Sequence, residues 1–111
     1  MTDVCDLADK TCVPCRGGVP PLGGDEVARL LGQVDGWEAP GNHHVTKSYK
    51  LADFASALAF VNRIGALAEE QGHHPDVYLA WGNVRVDLWT HKIDGLTESD
   101  FILAAKIDRV V

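Results

Sequence analysis

Apolar residues recur along the chain with two different periods, and these periods predict the order of its secondary-structure elements. Residues 53–71 carry apolar side chains on one arc at helical spacing, with Asp53 and Gly72 placed as N-cap and C-cap. Shorter helical patterns predict helices over residues 25–34 and 97–110. Runs of alternating or β-favouring residues predict four strands, at 37–39, 44–50, 76–81 and 84–91. The predicted order is therefore α-β-β-α-β-β-α.

The last two predicted strands are separated by Gly82 and Asn83, a pair typical of a two-residue hairpin turn. This turn would place Leu79 opposite Val86 and gather the apolar side chains of both strands on one face. Continued outward, the same register would place His74 opposite His91. Two histidines 17 positions apart in the sequence are thus predicted to be neighbours in space.

Carboxylates at two helix ends are candidates for a site. Glu69 borders the apolar stripe of the long helix, whereas Glu70 points to water, so we expect only Glu69 to orient a site histidine. Asp100 follows Thr97 at capping-box spacing, and helix capping alone would account for it.

Length and charge limit the classes of protein to consider. A chain of 111 residues, 46% of them hydrophobic, suits one domain over residues 25–111, preceded by an irregular Gly- and Pro-rich arm over residues 1–24. The net charge of −6 argues against nucleic-acid binding. The sequence has no apolar run long enough to span a membrane and no signal-peptide pattern, so we expect a cytoplasmic protein without a membrane partner.

The cysteines number three, Cys5, Cys12 and Cys15. An odd count speaks against a disulfide framework. The spacing of Cys12 and Cys15 is that of half a zinc site or of a redox pair, but the sequence has no second such pair. Free thiols in the arm are the favoured interpretation, and the zinc half-site stays open.

Histidine carries the chemistry that the sequence offers, because an imidazole both gives and takes a proton near neutral pH. His73, His74 and His91 are the candidates for acid–base catalysis. A three-histidine metal site is the alternative, although adjacent histidines on an extended chain point to opposite sides. The remaining pair, His43 and His44, is predicted to be exposed at the start of a strand.

These residues, taken together, resemble the signature of the pterin-4a-carbinolamine dehydratases. The matching pattern is Glu69-x3-His73-His74-Pro75-x5-Trp81-x9-His91-x8-Asp100. Further similarity runs through residues 95–108, the long helix and residues 12–22, so the resemblance covers nearly the whole chain. One departure is Val77, which stands where an aromatic residue is common in the family.

The resemblance implies an α/β (α+β) fold, with a four-stranded antiparallel sheet and helices packed on one face, in a homo-dimer or tetramer. It implies a hydro-lyase that converts 4a-hydroxytetrahydropterin to quinonoid dihydropterin, during tetrahydropterin recycling beside an aromatic amino acid hydroxylase. Neither cofactor nor metal is implied. His73, His74 and His91 would be catalytic. The residues expected to bind or orient the pterin substrate are Glu69, Pro75, Trp81 and Asp100.

The resemblance also leaves a non-enzymatic alternative open. In animals the family doubles as a dimerisation cofactor of a transcription factor, and its helical surface makes that contact. An interaction module of this kind is therefore the second interpretation of the chain.

Overall fold

The computed structural model describes Leu7 and residues 20–111. The predicted irregular arm and all three cysteines therefore lie outside the described residues, except for Leu7 and the last residues of the arm. Helices and strands follow the predicted order from the first helix onward, apart from one missing strand. Their bounds are α1 Gly24–Leu31, β1 Val45–Lys50, α2 Phe54–Gln71, β2 Asp76–Ala80, β3 Asn83–Leu88 and α3 Glu98–Asp108.

Within Leu7 and residues 20–111 the sheet has three antiparallel strands in the order β1-β3-β2, not the four strands expected. The segment predicted as the first strand contributes a single bridge, between Glu38 and Thr46. Gly36, with a φ of 78°, turns the chain just before this segment. Pro40, which has no N–H to donate, opens a three-residue 3₁₀ turn just after it. Too few residues remain between the two turns to form a ladder.

The hairpin between β2 and β3 has a different register from the one predicted. Its turn is Trp81-Gly82, and Leu79 pairs with Val84, not with Val86. Gly82, the second residue of this turn, has a positive φ of 68°, which glycine adopts without strain, whereas Asn83, the second residue of the predicted turn, pairs with Ala80. The register differs by two residues, so the apolar side chains stay on the predicted face. His74 and His91, however, are not a cross-strand pair, and the ladder begins with Asp76 opposite Asp87.

Helices cover one face of the sheet, as expected. Both predicted caps of α2 are present: the Asp53 carboxylate accepts from the Ser56 N–H at 2.8 Å, and Gly72 has a φ of 63°. Exposed polar side chains such as Ser48, Lys50 and Arg85 occupy the other face of the sheet. The core lies between the sheet and α2 and α3, and its larger fully buried side chains include Val45, Phe60, Ile64, Val84, Val86, Leu88, Phe101, Leu103 and Ile107.

The segment leading into α1 packs against the loop before α3. The Leu22 N–H donates to the Leu96 carbonyl at 2.9 Å. Beside this bond, a Cβ placed on Gly95 would come within 2.6 Å of the Pro21 side chain. Only glycine fits this approach without displacing Pro21.

Asp108 joins the end of α3 to β1 and to the bridge segment. Its carboxylate accepts from the Trp37 indole at 3.1 Å, from Lys47 at 2.8 Å and from the Tyr49 hydroxyl at 2.6 Å. Lys47 shares the buried parity of β1, and this ion pair is what satisfies its charge there. Burial raises the pKa of Tyr49, and the hydrogen bond to Asp108 and its charge raise that pKa further.

We predict that this raised pKa makes the protein less stable at high pH. A tyrosine in the unfolded chain ionises near pH 10, whereas Tyr49 in the folded protein stays protonated. Its contribution is therefore complete below about pH 10 and is lost above it, by up to about 1.4 kcal/mol per pH unit. Urea unfolding between about pH 8 and 11 should show a smaller decline for Tyr49→Phe than for the unaltered chain. The exposed Tyr78→Phe serves as control, and equal declines for the two variants would contradict the prediction.

Candidate active site

The turn after α2 places the His73 side chain beside the buried carboxylate of Asp100. Gly72 ends the helix in the left-handed conformation, and the His73 N–H closes the turn on the Ala68 carbonyl at 3.2 Å. The His73 Nε2 atom then lies 2.5 Å from Asp100 Oδ1. The His73 side chain is 12% exposed and that of Asp100 is 0% exposed.

Asp100 has a second set of contacts through its other oxygen. Oδ2 accepts from the Thr97 backbone N–H and from the Thr90 hydroxyl, each at 2.9 Å. The contact with Thr97 is the predicted helix cap. Capping alone does not account for Asp100, however, because the same carboxylate also contacts His73 and Thr90. Sequence reasoning could not find these contacts, since both residues reach Asp100 from other parts of the chain.

The bond to Asp100 assigns the ring nitrogens of His73. An ionised carboxylate only accepts hydrogen bonds, so Nε2 carries the proton in this contact. In a neutral imidazole the other nitrogen, Nδ1, is then the proton acceptor. The contact therefore leaves Nδ1 as the atom of His73 that can take up a proton.

His74 contacts a different carboxylate, on a different helix. Its Nε2 atom lies 2.5 Å from Glu69 Oε2, one turn back on α2. Both side chains are exposed, 60% for His74 and 78% for Glu69. Glu70 is exposed as predicted and accepts a hydrogen bond from the Gln71 side chain at 3.3 Å.

His91 completes the group of three histidines. It begins a short 3₁₀ turn, His91–Ile93, and its ring centroid lies 4.4 Å from that of Trp89. His73, His74 and His91 line one pocket of about 200 Å³, together with Gly72, Trp89, Thr90 and Lys92. The histidines meet although the predicted strand pairing is wrong. Asp100 ties together the segments that carry two of them, because it contacts both His73 and Thr90, the residue before His91.

The other predicted site residues divide into one near the histidines and one far from them. Pro75 lies beside His74 in a neighbouring apolar pocket of about 390 Å³, between α2 and the start of β2. Trp81 lies in the hairpin turn, 71% exposed, at the far end of β2. At about 3.3 Å per strand residue, it is about 17 Å from the histidine end of the strand. Trp81 is therefore not part of the pocket within its own chain.

Several residues at the site were not predicted to be there. Thr90 lines the pocket beside Trp89, and the signal that could have found Thr90 was its position directly before His91. His43 and His44 were expected to be exposed, but both rings are half-buried near Trp89, with centroid separations of 5.5 and 6.0 Å. A contact of this kind depends on two turns that leave no pattern in the sequence.

The described residues contain neither a cluster of metal ligands nor a membrane-spanning helix. In Leu7 and residues 20–111, no group of three or more His, Cys, Asp and Glu side chains is arranged to hold a metal ion. The possible zinc half-site at Cys12 and Cys15 lies outside these residues. No helix within the described ranges has the length and apolar character needed to cross a membrane.

Comparison with known proteins gives one consistent family. The family model described as pterin 4 alpha carbinolamine dehydratase matches residues 20–110. A protein from Rubrobacter xylanophilus is 57% identical over 105 residues, which span 95% of this chain and 98% of that protein. A protein from Rickettsia bellii is 54% identical over 109 residues, spanning 97% and 96% of the two chains. Both relatives are provisionally named pterin-4-alpha-carbinolamine dehydratases.

Solved structures with the same fold carry two further descriptions. The crystal structure of a transcriptional coactivator/pterin dehydratase from Brucella melitensis superposes with a TM-score of 0.77 at 34% identity, covering 81% of this chain and 97% of that one. A pterin dehydratase-like protein described as a RuBisCO assembly factor in the alpha-carboxysome gives a TM-score of 0.58 at 25% identity, covering 67% and 87%.

We predict that Glu69 orients His74 and that Glu70 does not. Glu69→Gln replaces a charged acceptor with a weaker neutral one, so the ring ¹⁵N signals of His74 should shift. Because the pair is exposed, the accompanying loss of turnover in a pterin-4a-carbinolamine dehydratase assay should be modest, about two- to fivefold. Glu70→Gln is the matched control and should leave both the signals and the turnover unchanged. Equal effects from the two variants would return Glu69 to an ordinary surface role.

Proposed function

The chain belongs to the pterin-4a-carbinolamine dehydratase family, and on that premise we propose that it removes water from 4a-hydroxytetrahydropterin to give quinonoid dihydropterin. The observation that supports the proposal most strongly is the pocket shared by His73, His74 and His91. Three groups that exchange protons near neutral pH thus border one space.

The reaction needs two proton transfers and no change of oxidation state. The C4a–O bond breaks, and the leaving hydroxyl takes a proton from an acid to become water. The proton on N5 goes to a base, and its electron pair forms the C4a=N5 double bond. Imidazoles can carry out both transfers without a metal, a cofactor or a covalent intermediate.

The surroundings of the three histidines support a division of tasks. His73 is nearly buried and oriented by Asp100, an arrangement suited to a proton transfer at a fixed position. His91 borders the same pocket from the 3₁₀ turn after β3, and we assign the second proton transfer to it. His74, in contact with Glu69, is 60% exposed, far more than His73. We therefore assign His74 to holding the pterin, with Glu69 and Pro75 orienting it.

The wider role that we propose follows from this reaction. A dehydratase of this kind acts after an aromatic amino acid hydroxylase and returns the pterin to a form that can be reduced again. We place this tetrahydropterin recycling in the cytoplasm. The proposal includes no cofactor, no nucleic acid and no membrane.

We also propose that the chain forms a homo-dimer or tetramer. In the described residues β2 is hydrogen-bonded on one side only, to β3, and its other edge can pair with a second strand. Phe54 and Leu58 on α2 are 45% and 41% exposed, close in sequence to the α2 residues that line the apolar pocket. Exposed apolar side chains of this size commonly mark contact surfaces between proteins.

The exposed apolar side chains of α2 also support a second candidate function, that of an interaction module. The descriptions of the two similar structures include a transcriptional coactivator and an assembly factor. The two functions use different surfaces of this chain, so they can be tested separately. Substitution of the pocket histidines should remove dehydration and leave association intact, whereas substitution of Phe54 and Leu58 should affect association first.

We predict that the protein accelerates the loss of synthetic 4a-hydroxytetrahydropterin, followed by stopped-flow absorbance, in proportion to its concentration. His73→Gln and His91→Gln should each lower turnover about 100-fold, the usual order for removing a general acid or base. The matched control is Glu26→Gln, which breaks an exposed ion pair with Arg29 on α1 and should leave turnover unchanged.

Exhaustive chelation should leave the rate of the same reaction unchanged, and added zinc should not increase it. If chelation abolished turnover and zinc restored it, the metal site would replace the acid–base mechanism. If the unaltered, folded protein did not accelerate the reaction at all, the proposed function would be wrong.

We predict that the mass measured by light scattering after size exclusion is that of a dimer or tetramer. Replacing both Phe54 and Leu58 by Ser should lower this mass, because it removes exposed apolar surface from α2. Ala59→Ser is the control, since residue 59 lies about 100° round the helix from Leu58. A monomeric mass for the unaltered chain would contradict the oligomer.

A further inference from the structure

Two histidines outside the family signature, His43 and His44, pack near Trp89, which lines the pocket. The ring centroids of His43 and His44 lie 5.5 and 6.0 Å from that of Trp89. On the pocket side the same indole lies 4.4 Å from the ring of His91. Trp89 is half-buried and lines the pocket, so its position affects both the shape of the pocket and the surroundings of His91.

A chain of hydrogen bonds holds the two histidines in place. His43 Nε2 lies 2.7 Å from Asp94 Oδ1, and His43 Nδ1 lies 3.2 Å from His44 Nδ1. The Asp94 carboxylate can only accept, so Nε2 of His43 carries a proton. In the neutral ring Nδ1 of His43 is then the acceptor, and Nδ1 of His44 is the donor. All three side chains therefore have compatible roles, in a contact that leaves 40% of the His43 side chain and 85% of the Asp94 side chain exposed.

The backbone on both sides of this contact is also unusual. Among Leu7 and residues 20–111, the two non-glycine residues with positive φ are Asn42, at 57°, and Asp94, at 50°. Asn42 directly precedes His43, and Asp94 is its hydrogen-bond partner. Asn and Asp are the side chains that tolerate this conformation best, yet it still needs support from the surrounding structure. Both turns thus have the conformation that brings His43 and Asp94 together.

We propose that Asp94, His43 and His44 are positioning residues that fix Trp89 as a wall of the histidine pocket. Trp89 presents a flat apolar surface, which suits a planar heterocyclic ring such as that of a pterin. Without lateral support a half-buried indole can occupy several rotamers, and ordering it would then reduce affinity for the substrate. The part of this inference that concerns the pterin rests on the proposed function; the positioning of Trp89 does not.

The test uses two variants that interrupt the hydrogen bonds among Asp94, His43 and His44 at different points. His43→Gln removes the ring between Asp94 and His44, and Asp94→Gly removes the carboxylate while tolerating the positive φ. Each should shift the indole N–H signal of Trp89 in a ¹H–¹⁵N spectrum, where loss of that signal in Trp89→Phe assigns it. Each should also raise KM for 4a-hydroxytetrahydropterin about two- to fivefold, as expected for an exposed pair, while kcat stays within about twofold. All measurements include a chelator, so that stray metal on the paired imidazoles does not contribute.

Two controls separate positioning from a general loss of structure. Asp94→Asn keeps an oxygen that can accept from His43 but loses the charge, so in both readouts it should lie between the unaltered protein and Asp94→Gly. Glu26→Gln breaks an exposed ion pair on α1 and should move neither readout.

The outcomes distinguish this inference from the proposed function. An unmoved Trp89 signal in both His43→Gln and Asp94→Gly would overturn the positioning role. A fall in kcat that matches the rise in KM would overturn it as well, because the three residues would then act on proton transfer. If the protein lacked dehydratase activity but the Trp89 signal moved in both variants, the positioning role would stand and the proposed function would fail.

Discussion

The buried carboxylate of Asp100 is the interaction on which both the fold and the site depend. It caps α3 through Thr97, holds the loop after β3 through Thr90, and contacts His73 in the turn after α2. A charge with no exposure to solvent is tolerated when it is hydrogen-bonded, and the N-terminal end of a helix adds a favourable dipole. Removing any one partner would leave part of this charge unsatisfied in the interior, which is far more unfavourable than losing an exposed ion pair. The position of the histidine pocket is therefore set by the same contacts that start the last helix.

The three histidines differ in how firmly the structure holds them. His73 is fixed from behind by a buried group, whereas His74 is held by an exposed carboxylate whose attraction is screened by water and salt. His91 has aromatic packing against Trp89 as its described support. One pocket thus combines an imidazole held by a buried carboxylate with two that have weaker support, an arrangement that would suit the change of shape in the proposed dehydration.

The sequence was a good guide where a feature depends on local periodicity. The caps of α2 at Asp53 and Gly72 and the cap of α3 at Thr97 are local signals, and the structure has all three. The faces of the hairpin strands were also correct, because they depend only on parity, and a shift of two residues preserves parity. The predicted partners were wrong, because the turn is Trp81-Gly82, with the positive φ of Gly82 at its second position, one residue earlier than the sequence indicated.

The site was predictable in its residues more than in its contacts. The spacing of the histidines led to the three that line the pocket, whereas Trp81, which the family resemblance added, lies at the far end of the hairpin and stays a prediction. Asp100 was explained as a cap, since the sequence cannot show that Thr90 and His73 come to the same carboxylate. His43 was predicted only as an exposed residue, because its contact with Asp94 joins two turns 51 residues apart.

The close approach of Gly95 to Pro21 has a consequence for exchanging segments between relatives. The Leu22–Leu96 hydrogen bond and the space that Gly95 leaves for Pro21 fit together as two halves of one contact. A chimera that took residues 20–23 from one parent and residues 94–97 from another could place a Cβ where the proline ring lies. The resulting displacement would reach the loop between Thr90 and Thr97, whose Thr90 N–H bonds to the Gly95 carbonyl. The two segments should therefore be inherited as one unit, although more than 70 residues separate them in the chain.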